Sequence, residues 1–347
     1  MSIIEQLRET VLDAYKSKTP LAITGGRSKT FFGRSIEATP LEVASNTGII
    51  NYEPSELVIT VRAGTRLSEI ETALAEHRQM LAFEPPHFGK TATLGGTIAC
   101  GFSGPRRASA GAARDFILGT KIINGKGELL KFGGQVMKNV AGYDVSRLMT
   151  GALGTLGVLT ELSLKVLPMP EKETSLCFEC SEQTALDLLQ QWLGENQPLS
   201  ASSFYRGTLC VRLSGSAQAI DQTVQSLGGD TLEQASEHWL SLREQTHHFF
   251  KKDQPLWRVS LPPATPAQAI IDADSLFEWH GGQRWITGDI DNINTYYSDS
   301  YKTFFRNKIN NTPFQPLPAP LLSLHQRIKQ AMDPEGILNP GKIHKDF

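Results

Sequence analysis

The sequence predicts an α+β protein of more than one domain, and three observations carry the prediction. Short runs of β-branched residues, such as "SELVITVRAGT", alternate with stretches whose apolar residues recur at helical spacing. The 347 residues are more than one core usually serves. Composition also changes near residue 170, with glycine dense before that point and sparser after it.

The elements follow in order. "MSIIEQLRETVLDAYKSK" places Ile3, Ile4, Leu7, Val11, Leu12 and Tyr15 on one face, an amphipathic helix and not a signal peptide. "PLAIT" is a short strand that runs into "GGRSKTFFGR". The β-branched run ending at Gly64 is a strand, and "TRLSEIETALAEH" is a helix with Thr65 as its expected N-cap. "MLAF" reads as another short strand. "DFILGTKIINGKGELLKF" reads as two strands joined at Asn124-Gly125-Lys126-Gly127. "GYDVSRLMTGALGTLGVLTELSLKVLP" gives a short helix, a Gly-rich turn and a long strand stopped by Pro168 and Pro170. Beyond it, "TALDLLQQWLGE" and "SAQAIDQTVQSLGG" read as helices, and "TLCVRLSG" and "LWRVSLP" as strands. "SLFEWHGGQRWITGDI" reads as paired strands around Gly281-Gly282, and the chain closes with a helix in "APLLSLHQRIKQAMDPEGILNPGK".

Composition excludes several classes. Thirty-four basic residues against 36 acidic ones give a net charge of −2, not that of a general nucleic-acid binder. No apolar run is long enough to span a bilayer, so the cytoplasm is the expected compartment. Four cysteines in a chain this long are no disulfide scaffold. Cys177 and Cys180 form a CxxC, but no second pair completes a zinc set, so both are expected as core or surface thiols and no metal is expected.

The stretch from residue 90 to 119 is built almost entirely from small residues. Such side chains bury little apolar area, and ordered glycine costs backbone entropy, so a packing role alone explains it poorly. Two loops have the make-up of a phosphate cradle, "TGGRSKT" at 24–30 and "TLGGTIACGFSG" at 93–104. Both offer backbone amides unscreened by side chains, with hydroxyls at Thr24, Ser28, Thr93 and Thr97. Plain tight turns are the alternative. Neither nucleotide motif of common type is present: "GTKIINGKG" lacks the Walker spacing, and Gly151, Gly154 and Gly157 end a helix instead of opening a first βα unit.

Taken together, "AITGGRSKT", "YEPSELVITVRAGTRLSEIETAL", "PPHFGKTATLGGTIACGFSGPRR", "GAARDFILGTKIINGKGELLKFGG", "KNVAGYDVSRLMTGALGTLGVLTELSLKVLP" and "MDPEGILNPGK" resemble the vanillyl-alcohol-oxidase (p-cresol-methylhydroxylase, PCMH) flavoprotein family. The family includes the D-2-hydroxyacid dehydrogenases. The chain's shortness, "WHGGQRW" and the closing helix resemble the FAD-binding subunits of bacterial glycolate oxidases within it. The resemblance implies a PCMH-type FAD-binding domain of two subdomains over 1–170, an α+β cap domain over 171–320, and a segment at 321–347 that returns to the FAD domain. It implies FAD held by backbone amides, with Gly25, Gly26, Arg27, Ser28 and Lys29 as the first pyrophosphate loop and Pro54 in an adenine-side turn. Thr93, Leu94, Gly95, Gly96, Thr97 and Gly101 would line the second loop. Arg106, Arg107 and Arg114 would border it, with Asp115 on the return strand and the backbone of Val158 near adenine or ribose. Arg106 has a second reading as a solvated loop charge. Asn339 would reach the flavin ring edge, and Lys342 would offer a cation to reduced flavin or to substrate. "GGRSKT" has no His or Cys, which implies non-covalent FAD. His87 reads as an exposed turn histidine or as a catalytic one.

Hydroxy-acid oxidation needs a base for the hydroxyl proton and a cation for the carboxylate. His247 and His248 are adjacent, so in a helix they point about 100° apart. Arg206, Arg258 and Arg284 could each face a carboxylate or sit in a salt bridge. No catalytic residue is assigned. The resemblance implies the FAD-binding subunit of a multi-subunit enzyme that oxidises glycolate, or D-lactate, to the 2-oxo acid. Its partners would be a catalytic flavoprotein and an iron–sulfur subunit, with electrons ending at a quinone and contact with the inner membrane only through the complex. The alternative is a self-sufficient FAD-dependent D-2-hydroxyacid oxidase or dehydrogenase.

Overall fold

The computed structural model describes residues 1–134, 144–251, 253–268, 273–288, 300–306 and 313–345, together with Ile293 and Tyr297. The expected motif "KNVAGYD" therefore lies largely outside the described residues.

The first part of the chain holds helices α1 (Ile3–Ser17), α2 (Leu67–Ala75), α3 (Leu94–Cys100), α4 (Arg107–Ala110) and α5 (Val145–Leu148). Its strands are β1 (Leu21–Thr24), β2 (Thr39–Glu42), β3 (Ile49–Glu53), β4 (Val58–Arg62), β5 (Gln79–Met80), β6 (Ile117–Ile123), β7 (Leu129–Gly133), β8 (Val158–Lys165) and β9 (Leu167–Pro168). Five strands form an antiparallel sheet in the order β3-β4-β8-β6-β7, while β1 and β2 form a separate parallel pair. One core joins the two units, with Leu21 and Leu41 from the pair packed in the same cluster as Ile59, Val61, Leu162 and Leu164 from the sheet.

Three local expectations change. Thr65 does not cap α2; it is buried, and its hydroxyl accepts from Gly48 N–H at 2.8 Å, tying the strand end to a loop. "MLAF" is strand only at Met80, because Leu81, Ala82 and Phe83 turn into the core. The second Gly-rich loop is mostly helix. Thr93 caps α3, accepting from Gly96 N–H at 3.3 Å. A Cβ on Gly95 would sit 2.8 Å from Ala63 Cβ, so glycine here allows close packing on β4 and is not merely flexible.

The second part holds β10 (Lys172–Glu179), β11 (Leu199–Tyr205), β12 (Thr208–Gly215), β13 (Asp230–Thr231), β14 (Leu256–Ser260), β15 (Asp274–Glu278), β16 (Gln283–Thr287) and β17 (Tyr301–Arg306). They form one antiparallel sheet in the order β13-β10-β12-β11-β15-β16-β14-β17. Helices α6 (Glu182–Gly194) and α7 (Ala217–Leu227) pack on one side, and α8 (Ala235–Arg243) contributes Trp239 and Leu242 to a cluster shared with Phe32 and Phe102 of the first part. Cys177 is not a free thiol. Register places it opposite Cys210 on β12, Cα atoms 4.3 Å apart, and the two form a disulfide. Cys100 and Cys180 are free.

The final helix, α9 (Ala319–Met332), ends before Asp333-Pro334, and the chain then returns to β1. Leu21 N–H donates to Ile337 C=O at 2.8 Å, and Asn339 N–H to Leu21 C=O at 2.9 Å. A buried ion pair holds this return in place. Lys329 Nζ lies 2.6 Å from Asp333 and also donates to Thr155 and Leu338 carbonyls, while Asp333 accepts from the amides of Ile337 and Leu338.

Candidate cofactor site

β1 delivers the chain into Gly25 at the edge of a cavity of about 350 Å³, with a smaller pocket of about 70 Å³ adjoining it. The large cavity is walled by Ala22 to Thr30, one side of α3, and Asn339 and Lys342 of the returning tail. Val43, Ala63, Gly157 and Leu159 form the far end through the smaller pocket. Gly96, Ala99 and Cys100 share the cavity-facing side of α3, the i, i+3, i+4 spacing of a helix face.

The first loop is built to receive an anion. Among the described residues, none of the amides from Gly25 to Ser28 donates to another protein group. Arg27 has φ 57°, which turns successive amides toward one concavity. Gly26 cannot carry a side chain here, since its Cβ would fall 1.5 Å from Thr91 C=O. Gly96 faces open space: its Cβ would meet only Thr93 Oγ1, at 3.2 Å. Thr24 Oγ1 and Thr97 Oγ1 are buried without partners among the described residues.

Two lysines border the same space. Lys29 donates to His87 C=O at 3.1 Å and Ser28 Oγ at 3.2 Å, and burial pulls its pKa down to about 8. Burial also lowers Lys342. Cys100 lies near both, and its own burial pushes its thiol up to about 11, so at neutral pH it is a protonated, poor nucleophile.

The structure sorts the expected site residues. Gly25, Gly26, Arg27, Ser28, Lys29, Thr93, Gly95, Gly96 and Asn339 line the two cavities. Leu94 and Thr97 sit on the buried side of α3, and Gly101 caps that helix against Gly151. Val158 is buried in β8 while its neighbours Gly157 and Leu159 form the wall. Asn339 does not offer a free amide: Oδ1 accepts from Ile23 N–H at 2.7 Å and Nδ2 donates to Leu153 C=O at 2.6 Å. Its contribution is to fix the wall.

Two expected residues stand away from these cavities. Pro54 lies in a turn at the β3–β4 edge, lines neither cavity, and accepts from Gln79 Nε2. Arg106 lines neither cavity and is not a solvated charge. It is 7% exposed and joins the two parts of the molecule, pairing with Glu84 at 3.3 Å and with Glu173. Arg212 meets the same Glu84 at 2.9 Å. Arg107 stacks 4.2 Å from the Trp279 ring, and Arg114 is exposed beside Asp115. His87 also belongs to this junction: Nε2 lies 3.1 Å from Glu71, and the His87 and Phe88 amides donate to Glu244.

His238, absent from the expectations, meets His247 edge to face, and His247 contacts His248. Burial holds His238 and His247 near 4, so both are neutral. No group of metal-ligating side chains that could hold an ion occurs among the described residues. Of the three candidate arginines, Arg206 is exposed and pairs with Asp274 at 3.4 Å, and Arg284 is buried against Tyr297, Thr265 and Glu182. Arg258 alone of the three faces the junction. Sequence reading missed Ala99 and Cys100, which a helical reading of 94–100 would have placed beside Gly96. It also missed Phe32, Val43, Ala63 and Leu159, for which no local signal exists.

Comparisons with known proteins bear on the family and the fold. Residues 2–133 match the family described as FAD binding domain, and residues 317–343 match the C-terminal domain of FAD linked oxidases. The chain is 44% identical over 345 residues to glycolate oxidase subunit GlcE of Escherichia coli, covering 99% of this chain and 98% of that protein. It is 31% identical to D-lactate dehydrogenase of Anaerostipes hadrus and 31% to glycolate oxidase subunit GlcD of Bacillus subtilis, spanning only 36% and 31% of their lengths. The fold of 4-ethylphenol oxidase from Gulosibacter chungangensis superimposes with a TM-score of 0.70 at 14% identity, over 99% of this chain and 88% of that one.

Proposed function

We propose a function from one premise: the chain belongs to the FAD-linked oxidase family of flavin-dependent oxidoreductases, as a full-length homologue of GlcE. It binds FAD without a covalent bond and serves as a flavoprotein subunit of a multi-subunit glycolate oxidase. The observation that carries this reading is the run of unpaired amides at Gly25–Ser28 opening on the same cavity as Gly96. Those amides, with Lys29, would hold the pyrophosphate. Val43, Ala63, Gly157 and Leu159 would enclose the adenosine end, and Ala99, Cys100 and Lys342 would border the flavin end. When bound, FAD supplies a two-electron acceptor that can pass electrons on singly. The chain's residues bind it, exclude water from it and place two cations beside it.

An iron–sulfur subunit and a catalytic flavoprotein complete the enzyme in this reading, which oxidises glycolate to its 2-oxo acid. Among the described residues no helix is long and apolar enough to cross a membrane, and we place the chain in the cytoplasm, at the membrane only through its partners. The test is anaerobic mixing with glycolate. The flavin of the isolated chain should stay oxidised, while that of the co-purified complex bleaches. Bleaching in the isolated chain would instead establish a self-sufficient oxidase. Acid precipitation should release all flavin to the supernatant, and colour retained by the pellet would refute non-covalent binding.

A further inference from the structure

The loop from Glu84 to Gly89 lies between the cofactor cavity and the second part of the chain, and His87 is bonded to both. On the cavity side its C=O accepts from Lys29 Nζ at 3.1 Å. On the other side its N–H donates to the Glu244 carboxylate at 3.1 Å, and the Phe88 N–H donates to the same carboxylate at 2.9 Å. Glu244 caps the end of α8 and accepts in turn from Arg243 Nε at 3.0 Å. The His87 ring reaches a third element, lying 3.1 Å from Glu71 on α2. One residue therefore stands between a carboxylate of the second part and an ammonium of the first loop.

The conformation of the loop depends on that carboxylate. Phe88 has φ 51° and Gly89 has φ 125°. A left-handed backbone is unfavourable for an aromatic residue and persists only where its neighbours over-determine it. Two bonds from one carboxylate to consecutive amides do so, with ring contacts from Phe88 to Phe31 at 5.3 Å and to Phe102 at 5.9 Å. Lys29 depends on the loop in turn. It is 8% exposed, and its ammonium donates only to Ser28 Oγ and His87 C=O among the described residues, which leaves a third N–H for a guest of the cavity that it lines. A lysine without the His87 carbonyl would have to be ordered by the phosphate itself, at a cost in affinity. Of the titratable groups near the ammonium, Glu244 favours its charged form, Cys100 is a neutral thiol at pH 7, and Lys342 also neighbours Cys100. Around Glu244 stand Arg243, and Glu71 beside both Arg243 and His87, while Arg306 lies 5.8 Å from the Phe88 ring.

We propose that Glu244 is a positioning residue for the cofactor: through the His87–Phe88 peptide it holds Lys29 ready for the pyrophosphate, and so couples FAD binding to the seating of α8 on the first part. The inference rests on the cofactor reading given above. Coupling of this kind is reciprocal, so bound FAD tightens the same contacts, and the second part sits more firmly in the loaded chain than in the stripped one.

The test is titration of the stripped full chain with FAD between pH 6 and pH 9.5, followed by flavin fluorescence. The variants are Glu244→Ala, Glu244→Gln, Lys29→Met and the double variant Glu244→Ala/Lys29→Met. At pH 7 Glu244→Ala should weaken FAD binding by at least about fivefold, but by less than about twofold when Lys29 is already Met. A merely structural loss would be equal in both backgrounds. Glu244→Gln keeps an acceptor and removes the charge that favours the ammonium. Its affinity should therefore begin to fall at lower pH than that of the wild type, in which Lys29 titrates near 8. Amide hydrogen exchange at His87, Phe88 and α8 should slow when FAD binds the wild type, and not in Glu244→Ala. Equal loss in both backgrounds, no loss in Glu244→Ala, wild-type affinity in Lys29→Met, an unshifted pH profile in Glu244→Gln, or exchange indifferent to FAD would each overturn the proposal. Glu244→Gln carries the test if Glu244→Ala does not fold. A wild-type chain that binds no FAD refutes the cofactor reading itself, whereas loss of affinity in Lys29→Met but not in Glu244→Ala refutes this inference alone.

Discussion

Replacing Gly96 separates cofactor binding from folding. A Cβ at this position meets only Thr93 Oγ1 at 3.2 Å and otherwise points into the space between α3 and the first loop. Alanine therefore costs the apo-protein little, and as a better helix former than glycine it stabilises α3 by up to ~1 kcal/mol. In the proposed arrangement the pyrophosphate would occupy that space. Losing one hydrogen bond to a charged group costs ~1.5–3 kcal/mol, a drop in FAD affinity of about ten- to 150-fold for Gly96→Ala. Leucine fills the passage, and Gly96→Leu should retain no flavin. The assay is the flavin-to-protein ratio after desalting, followed by titration of stripped protein with FAD. Thermal melts of both forms check the fold, and the melting point of Gly96→Leu should no longer rise with added FAD. By contrast Gly95→Ala should lower the apo melting point, since its Cβ would crowd Ala63. A Gly96→Leu protein with a full flavin complement would refute the placement of the pyrophosphate.

Three further outcomes follow from the charged groups. Lys29 titrates near 8 in the free protein, so FAD affinity should fall as pH rises above 8, by up to tenfold per pH unit, and Lys29→Met should flatten that profile. Lys329→Met leaves Asp333 buried without its cation and should cost ~3–5 kcal/mol in urea unfolding, with loss of FAD as the tail leaves β1. Glu278 has a folded pKa near 7 against 4.5 unfolded, so the folded state binds the extra proton between those values. The contribution of this group to stability is then full below pH 4.5 and declines through pH 7, by about 3 kcal/mol at most. Glu278→Gln should remove that decline, and urea midpoints at pH 5 and pH 8 measure it.

Much of the fold was legible locally, because its signals lie within a few residues of one another. The apolar spacing of α1, the Asn124–Gly127 turn between β6 and β7, and the Gly281-Gly282 connection of β15 and β16 all stand where pattern and turn chemistry put them. The first loop was legible for the same reason: consecutive glycines before a Ser and a Lys leave amides that no side chain screens. The second was misread as loop, because two adjacent glycines depress helix propensity. Packing against Ala63 and the cap at Thr93 outweigh that preference.

What the sequence by itself determined is the chemistry available along each short segment: where amides stand free, where the chain turns, and where small residues permit close approach. Only the tertiary structure decided how distant segments meet. It turned Arg106 from the glycine tract to Glu84 and Glu173, spent the Asn339 amide on Ile23 and Leu153, and joined Cys177 to Cys210 across two strands. It also set the Arg258 guanidinium over the rings of Phe32, Phe102 and Phe305. The physical reason is that a polar side chain's role is fixed by which partner burial brings within hydrogen-bond reach. Those partners lie far along the chain, where periodicity and composition carry no information about them.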